Sequence, residues 1–204
     1  THYKGILDNM HPLILASSSP YKKMLLERLN IAFSCYSPDI DEAPKLSESP
    51  LALAERLSQG KALAVAKLFP NTVIIGADQV EDLDGEILGK PGNHEQAIKQ
   101  LTAQSGRTML FHCGLTVMRR DSAGNIEQKS RVNTTEVSFR ALNLQQIENY
   151  LRADHPYDCA GSFKAEALGI SLFTAVHSND PSALIGLPLI DCCSLLADFG
   201  LKVP

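Results

Sequence analysis

The chain has 204 residues, of which 44% are hydrophobic and 21% are charged, and its formal net charge is −4. This length and composition predict a single globular domain with a core of normal size and exclude a disordered chain. The acidic balance argues against a DNA or RNA partner, because proteins that bind nucleic acids usually carry a basic surface. A few lysines can still bind a small anion against the global sign of the charge.

The five cysteines are odd in number and form no C-x-x-C pair. This pattern favours a reducing compartment over a disulfide scaffold or a structural zinc site. No run of about eighteen apolar residues predicts a membrane span. We therefore expect a cytoplasmic protein with no membrane partner. The opening Thr1-His2-Tyr3-Lys4-Gly5 lacks an initiator Met and an apolar signal core. We therefore expect residues 1–12 to be an N-terminal extension or tag remnant, followed by one domain over residues 13–204.

The first predicted elements alternate between strand and helix. A buried strand is predicted over residues 13–16, and Ser19-Pro20 should begin a helix that ends near Asn30. A second strand is predicted over residues 32–37, followed by an acidic irregular segment. Ser49-Pro50 then begins a helix that reaches Leu68.

Two hairpins are predicted next. The apolar run Val73–Ile75 reads as a buried strand that ends at Gly76, and the Asp84-Gly85 turn brings the chain back to Pro91. A helix capped by Asn93 should end near residue 104. The second hairpin pairs residues 108–119 with residues 126–140, and the alternation over residues 135–140 predicts that one face of that strand is wet.

The last third is predicted to contain a helix over residues 143–152, a loop over residues 157–169 and a strand over residues 170–173. A short helix should follow Asp180-Pro181, and the final helix should cover residues 189–199. Alternation of strands and helices followed by hairpins predicts an α/β fold with a mixed sheet.

The junction between the first strand and the first helix has the properties of an anion site. Ser17 and Ser19 lie where the first free amides of the helix point, at its positive end. Lys22 and Lys23 run against the usual preference for acids in a first turn, which a bound phosphate would explain. The alternative is a plain helix cap with solvated lysines. The glycines of a Walker loop or a dinucleotide-binding fingerprint are absent.

Asp78 and Lys90 stand at the two ends of the first hairpin, where they can handle a polyphosphate and its metal. The alternative for Asp78 is structural hydrogen bonding, and the alternative for Lys61 and Lys90 is exposure on the surface. Glu42 lies in an acidic loop of the kind that is usually only solvated.

Glu81, Asp82 and Asp84 do not have the spacing of a calcium-binding loop. We interpret them as turn and surface residues. His112 lies in an apolar run and is interpreted as a histidine of the core or the sheet.

Seven short segments, taken in order, resemble the Maf family of nucleoside triphosphate pyrophosphatases and span the chain from about Leu13 to Phe199. Each is weak alone, but seven in the same order make a specific signal. The resemblance implies an elongated central sheet with flanking helices that form two lobes around a cleft, as in Maf and ITPase-like proteins. The segments are Leu15-Ala16-Ser17-Ser18-Ser19-Pro20, Asp41-Glu42, Lys61-Ala62, Gly76-Ala77-Asp78, Gly85-x-x-Leu88-Gly89-Lys90-Pro91, Cys159-Ala160-Gly161 and Gly186-Leu187-Pro188-Leu189.

This resemblance implies hydrolysis between the α- and β-phosphates of a nucleotide, giving a monophosphate and pyrophosphate. Asp78 would be the general base and, with Glu42, a ligand of a divalent cation, Mg²⁺ or Mn²⁺. The remaining implied site residues would hold the triphosphate by hydrogen bonds and charge. They are Ser17, Ser19, Lys22, Lys61 and Lys90.

The resemblance is closer to the YceF-type subfamily, which hydrolyses 7-methylguanosine triphosphate. Its implied specificity residues are an aromatic after SxSP, a Gln after the catalytic Asp, and a Glu after the Ala-Gly turn; here they are Tyr21, Gln79 and Glu166. An aromatic face and a carboxylate suit a guanine ring made cationic by methylation. The subfamily places arginines where this chain has Lys22-Lys23, which removes the bidentate grip on phosphate.

Two alternatives stay open at the level of sequence. The same scaffold could act on dTTP, UTP or another aberrant nucleotide. The protein could instead be a non-catalytic nucleotide-binding regulator of cell division. Family members are often dimers, so a homodimer is also expected as a possible assembly.

Overall fold

The computed structural model describes residues 13–203, which form one seven-stranded sheet and five α-helices. Residues 1–12, predicted to be an extension or tag remnant, lie outside this range. The strands are β1 (Leu13–Leu15), β2 (Ser34–Cys35), β3 (Val73–Leu83), β4 (Glu86–Leu88), β5 (Thr108–Arg120), β6 (Ile126–Phe139) and β7 (Phe173–His177). The helices are α1 (Pro20–Glu27), α2 (Pro50–Ala66), α3 (His94–Gln104), α4 (Leu144–Asp154) and α5 (Leu189–Asp198).

The sheet is mixed. Its strand order is β2-β1-β3-β5-β6-β7, and β4 pairs with the far end of β3. β1 runs parallel to both β2 and β3, whereas β3, β5, β6 and β7 form a series of antiparallel neighbours. The prediction of an α/β fold with a mixed sheet is therefore confirmed.

The helices begin where their capping residues predict. Ser19 accepts a hydrogen bond from the backbone N–H of Lys22 at 3.3 Å, and Pro20 occupies the first turn of α1. Ser49 caps α2 and Asn93 caps α3 in the same way. Each cap supplies an acceptor for an amide that has no partner inside the helix.

Two hydrophobic cores lie at opposite ends of the same face of β3. The first packs β1, α1 and α5 against the start of β3, and the second packs α3 and α4 against its far end. Ile75 and Leu83 belong to the two cores, and both are odd-numbered, as the two-residue period of a strand requires. Each core forms one lobe, and the long strands β3 and β5 connect them, which confirms the predicted elongated sheet with two lobes.

Helix α2 covers the other face of the sheet. There Ile74 packs with Ala62 and Val65, and Val80 packs with Leu57. β3 is thus apolar on both faces for most of its length, which explains its nearly continuous hydrophobic run.

Three predicted strands differ from the structure. The strand predicted over residues 32–37 is limited to Ser34–Cys35. β3 does not end at Gly76 but continues to Leu83, because the whole segment pairs with β5. The strand predicted over residues 170–173 is a 3₁₀-helix over Leu168–Leu172, and β7 begins only at Phe173. The wet face predicted for β6 is confirmed, since Glu136 is exposed between the buried Thr135 and Val137.

Within residues 13–203, no helix is long and apolar enough to cross a membrane.

Candidate active site

The candidate site lies on a stretch of β3 that has a strand on one side only. β1 pairs with β3 up to Ile75, and β4 pairs with it only from Glu81 onward. Over residues 76–80, the register therefore gives β3 a single neighbour, β5. The free edge opens beside the end of β1, where a ligand can reach the backbone and side chains of the sheet.

Asp78 lies in the middle of this stretch and points towards α2. Lys61 of α2 donates a hydrogen bond to Asp78 Oδ1, and its Nζ also lies 2.9 Å from Glu42 Oε1. Burial alone would lower the pKa of Lys61, but the charges of Asp78 and Glu42 outweigh it, so that the pKa of this lysine is raised. The structure brings together three of the residues predicted from the sequence and keeps the ammonium charged.

Two glycines allow α2 to approach the sheet closely enough for this contact. A Cβ on Gly76 would lie 2.2 Å from the carbonyl oxygen of Ser58, and a Cβ on Gly114 would lie 2.2 Å from that of Ala54. Gly114 is the residue of β5 that pairs with Asp78. The glycine of the Gly76-Ala77-Asp78 motif thus has a packing role, which places Lys61 beside Asp78.

The serine-rich turn before α1 approaches the same end of the sheet. Ser17 Oγ accepts a hydrogen bond from Ser19 N–H at 3.0 Å, so both hydroxyl oxygens support the turn itself. Lys22 leaves α1 towards the cleft: its Nζ lies 3.4 Å from where a Cβ on Gly186 would stand. Lys23 instead pairs with Glu27 on the surface at 3.9 Å. Of the two lysines, only Lys22 is placed near the candidate site.

Lys90 lies on an exposed loop after β4. The loop is anchored to α3 by Gln100, whose Nε2 donates to the Gly89 carbonyl at 3.0 Å. The structure therefore leaves the Lys90 side chain accessible to a ligand. Its predicted role in binding phosphate stays a prediction.

Tyr21 of one lobe and Glu166 of the other face each other across the cleft. Tyr21 is 37% exposed, and its pKa is raised first by burial and then by the neighbouring charge of Glu166. Glu166 follows the Cys159–Ser162 turn, which α3 holds through Gln104 Nε2 and the Gly161 carbonyl at 2.7 Å. Two residues predicted from distant segments are thus brought together.

Gln79 points to the opposite face of β3 from Asp78. Its Nε2 donates to the carbonyl oxygens of Ala183 at 3.1 Å and Leu184 at 2.9 Å. Both amide protons are used by the protein, which leaves Oε1 as an acceptor. A hydroxyl side chain at this position has only one donor and could not bind both carbonyl oxygens in this way.

The segment that receives Gln79 is organised by Asp180, which the sequence analysis identified only as the residue before a short helix. The buried carboxylate accepts from Ser182 N–H at 2.9 Å and from Ile190 N–H at 2.7 Å. It therefore joins the short 3₁₀-helix Ala183–Ile185 to the first turn of α5, where a negative charge is favoured. The Asp180-Pro181 pair was the signal in the sequence from which this role of Asp180 could have been inferred.

The interpretation of Glu81 and Asp82 as turn and surface residues was wrong. Both lie in β3 and are buried, with 7% and 8% exposure. Asp82 Oδ2 lies 3.1 Å from Nε2 of His112, which confirms His112 as a histidine of the sheet. Only Asp84 lies in the turn, where it adopts a left-handed φ of 54°.

The burial of the Glu81 carboxyl predicts how the stability of the protein depends on pH. Burial raises its pKa to about 8 from an ordinary value of 4.5. Between these values the unfolded chain has lost a proton that the folded chain keeps, so raising the pH favours unfolding by up to ~1.4 kcal/mol per unit. We expect Glu81→Gln to gain thermal stability over the wild type as the pH rises from 5 to 8. Parallel curves for the two proteins would contradict this, and Glu86→Gln, on the exposed start of β4, is the control.

The carboxylates around Lys61 are the oxygen donors available for a metal ion. Asp78 and Glu42 approach the same ammonium, and Mg²⁺ is often held by one or two carboxylates together with substrate phosphates. Over residues 13–203, no group of three or more His, Cys, Asp or Glu side chains forms a complete metal site. The donor set fits a cation that is shared with a phosphate ligand.

Comparison with known proteins shows which family this chain resembles. The model of the Maf family, described as Maf-like protein, matches residues 12–199. A 7-methyl-GTP pyrophosphatase of Methylobacillus flagellatus is 51% identical over 194 residues, which cover 95% of this chain and all of that protein. One of Polaromonas sp. is 50% identical over 192 residues, which cover 94% of this chain and 86% of that protein.

The solved structure of the Ham1 protein of Staphylococcus aureus superposes with a TM-score of 0.45 and 19% sequence identity. The superposition covers 63% of this chain and 72% of the Ham1 chain. This partial overlap carries no argument about activity. The family match covers both lobes, the whole of the candidate site and the region in which the seven sequence segments lie. The chain belongs to the Maf family.

Proposed function

We propose that this protein hydrolyses the bond between the α- and β-phosphates of 7-methyl-GTP, giving 7-methyl-GMP and pyrophosphate. The observation that carries the proposal is the identity of about one half, over nearly the whole chain, with proteins named 7-methyl-GTP pyrophosphatase. The cluster of Asp78, Lys61 and Glu42 on the open edge of β3 supports it, because such a cluster suits a polyphosphate.

In this proposal Asp78 takes a proton from the attacking water. A carboxylate oxygen within reach of the attacking water can accept its proton. Lys61, Lys22 and Lys90 offer positive charge to the phosphates, and the turn of Ser17 and Ser19 offers the amides at the start of α1. The departing group is pyrophosphate, whose negative charge these cations stabilise.

Asp78 and Glu42 would hold a divalent cation, Mg²⁺ or Mn²⁺. When bound, such a cation neutralises charge on the phosphate oxygens. Lys61 lies between the two carboxylates and would keep them in place before the cation and substrate arrive.

The nucleobase of the substrate would lie between the lobes, where Tyr21 and Glu166 face each other. N7-methylation gives guanine a positive charge, which favours an aromatic ring and a carboxylate as neighbours. The N1–H and N2–H groups of guanine are donors, and Glu166 and Gln79 Oε1 are acceptors. This arrangement would favour a methylated guanine over the pyrimidine of dTTP or UTP.

The position of bond cleavage is tested by running the reaction in water labelled with heavy oxygen. Attack on the α-phosphorus places the label in 7-methyl-GMP and leaves pyrophosphate unlabelled. Label in pyrophosphate, or release of a nucleoside diphosphate, would exclude the proposed chemistry. A chelator, followed by Mg²⁺ or Mn²⁺, tests the dependence on a cation in the same assay.

The base-binding role of Glu166 is tested by Glu166→Gln. We expect the ratio of kcat/KM for 7-methyl-GTP to kcat/KM for GTP to fall about tenfold, because the variant keeps the size of the side chain and loses its charge. Glu95→Gln, at an exposed position of α3, is the control. An unchanged ratio for Glu166→Gln across normal and methylated triphosphates would remove Glu166 from the specificity residues.

A further inference from the structure

Glu81 lies on the side of β3 that faces the cleft. Even-numbered residues of this part of the strand point towards α2, as the contacts of Gly76 and Asp78 show. Gln79 points the other way, towards Ala183 and Leu184. Two residues further on, Glu81 shares the face of Gln79. Its Cγ lies 3.7 Å from where a Cβ on Gly161 would stand, so it lies beneath the turn that leads to Glu166.

The carboxyl of Glu81 is buried, with an exposure of 7%. Over residues 13–203 it makes no ion pair and no hydrogen bond with another residue, and its own backbone N–H is the donor that reaches it. A single N–H leaves most of the acceptor capacity of a carboxyl group unused. Burial and the charge of Asp78 favour the neutral form of this carboxyl, whereas the backbone N–H and the charge of Lys22 favour the ionised form. Glu81 thus keeps hydrogen-bonding capacity on the face of β3 that it shares with Gln79.

The surroundings of Glu81 indicate which part of a nucleotide would reach it. Gln79, on the same face, and Glu166, after the overlying turn, belong to the predicted base-binding residues. A carboxyl group is a poor neighbour for a triphosphate, because it has no N–H donor for the phosphate oxygens and repels them when it is ionised. A ring that carries positive charge and N–H donors is a favourable one. We propose that Glu81 is a further specificity-determining residue, which contacts the nucleobase of the substrate from the floor of the cleft.

This inference rests on the proposed function and concerns the same site. Glu81→Gln keeps the shape of the side chain and loses its ability to carry a negative charge. The ratio of kcat/KM for 7-methyl-GTP to kcat/KM for GTP falls about tenfold in this variant, mainly through KM for the methylated substrate. Glu81→Met, which removes both polar atoms, lowers the same ratio. Glu86→Gln, in the same hairpin but exposed, leaves the ratio unchanged.

Two measurements separate this inference from the proposed function. The first is steady-state hydrolysis of 7-methyl-GTP, GTP and dTTP by the wild type, Glu81→Gln, Glu81→Met and Glu86→Gln. If the wild type hydrolyses 7-methyl-GTP and the ratio stays within twofold of the wild-type value in both Glu81 variants, the inference is overturned and the proposed function stands. An equal loss on all three triphosphates also overturns it, because a structural defect would act on every substrate.

The second measurement is equilibrium binding of 7-methyl-GMP and GMP to the same four proteins, which needs no catalysis. Preferential loss of 7-methyl-GMP binding in both Glu81 variants supports the inference. Equal binding of the two ligands by the wild type and the variants overturns it. If the wild type releases no pyrophosphate from any triphosphate, the proposed function fails, and the binding measurement still decides the role of Glu81.

Discussion

Asp78→Asn is expected to lower kcat for pyrophosphate release by about 10²-fold or more, because the amide cannot accept the proton of the attacking water. The substitution keeps the size of the side chain in the middle of β3. It also removes the negative charge that holds Lys61, so the ammonium loses one of its two carboxylate partners. The measurement is steady-state release of pyrophosphate at saturating substrate.

Asp84→Asn is the matched control for this variant. Asp84 lies in the turn of the same hairpin, is exposed and has a left-handed φ of 54°, a conformation that Asn adopts readily. We expect wild-type turnover from this protein. A near-wild-type kcat for Asp78→Asn would remove Asp78 from the role of general base and leave it as a structural partner of Lys61.

Gly76→Ala is expected to destabilise the protein by about 3 kcal/mol or more, at the upper end of the range for overpacked sites. The added Cβ would lie 2.2 Å from the Ser58 carbonyl oxygen and 2.7 Å from the Ala62 amide nitrogen. Both atoms belong to the backbone of α2, so the clash cannot be relieved by a rotamer change. The helix must move away from the sheet, and Lys61 moves with it.

Chemical denaturation of Gly76→Ala measures this effect. The control is Gly89→Ala, since a Cβ on Gly89 would have no neighbour within 4 Å. We expect an unfolding midpoint close to the wild-type value for the control and a much lower midpoint for Gly76→Ala. Equal midpoints would show that α2 can shift without cost, and that the glycine does not set the distance between Lys61 and Asp78.

Local signals in the sequence predicted the helices well, because each helix start depends on a few neighbouring residues. Ser19, Ser49 and Asn93 cap the helices that they were expected to cap. The Asp84-Gly85 turn was also recognised, and both residues have the positive φ that such a turn needs. These features require no knowledge of distant contacts.

The extent of β3 could not be predicted in this way. The acidic residues after Gly76 indicated turn and surface positions, but pairing with β5 extends the strand to Leu83. Burial of Glu81 and Asp82 follows from that pairing and from the elements that cover the two faces. Tertiary context therefore decided the positions where the local pattern was misleading.

The candidate site was predicted in parts that the fold then assembled. The contact of Lys61 with Asp78 joins residues that the sequence could only propose separately, and the approach of Tyr21 to Glu166 joins the two lobes. Glu81 was missed because a carboxylate beside a turn is usually exposed. Its position two residues after Gln79, on the same face of a strand, would have been the signal if the length of β3 had been known.

The most direct test of the central claim is pyrophosphate release by the wild-type protein from a panel that contains 7-methyl-GTP, GTP, dTTP, UTP, ATP and CTP, with and without Mg²⁺. We predict the highest kcat/KM for 7-methyl-GTP, with 7-methyl-GMP and pyrophosphate as products. A higher kcat/KM for dTTP or UTP would contradict the assignment of the substrate. Measurable binding without pyrophosphate release from any triphosphate would contradict the assignment as an enzyme and favour a nucleotide-binding regulator.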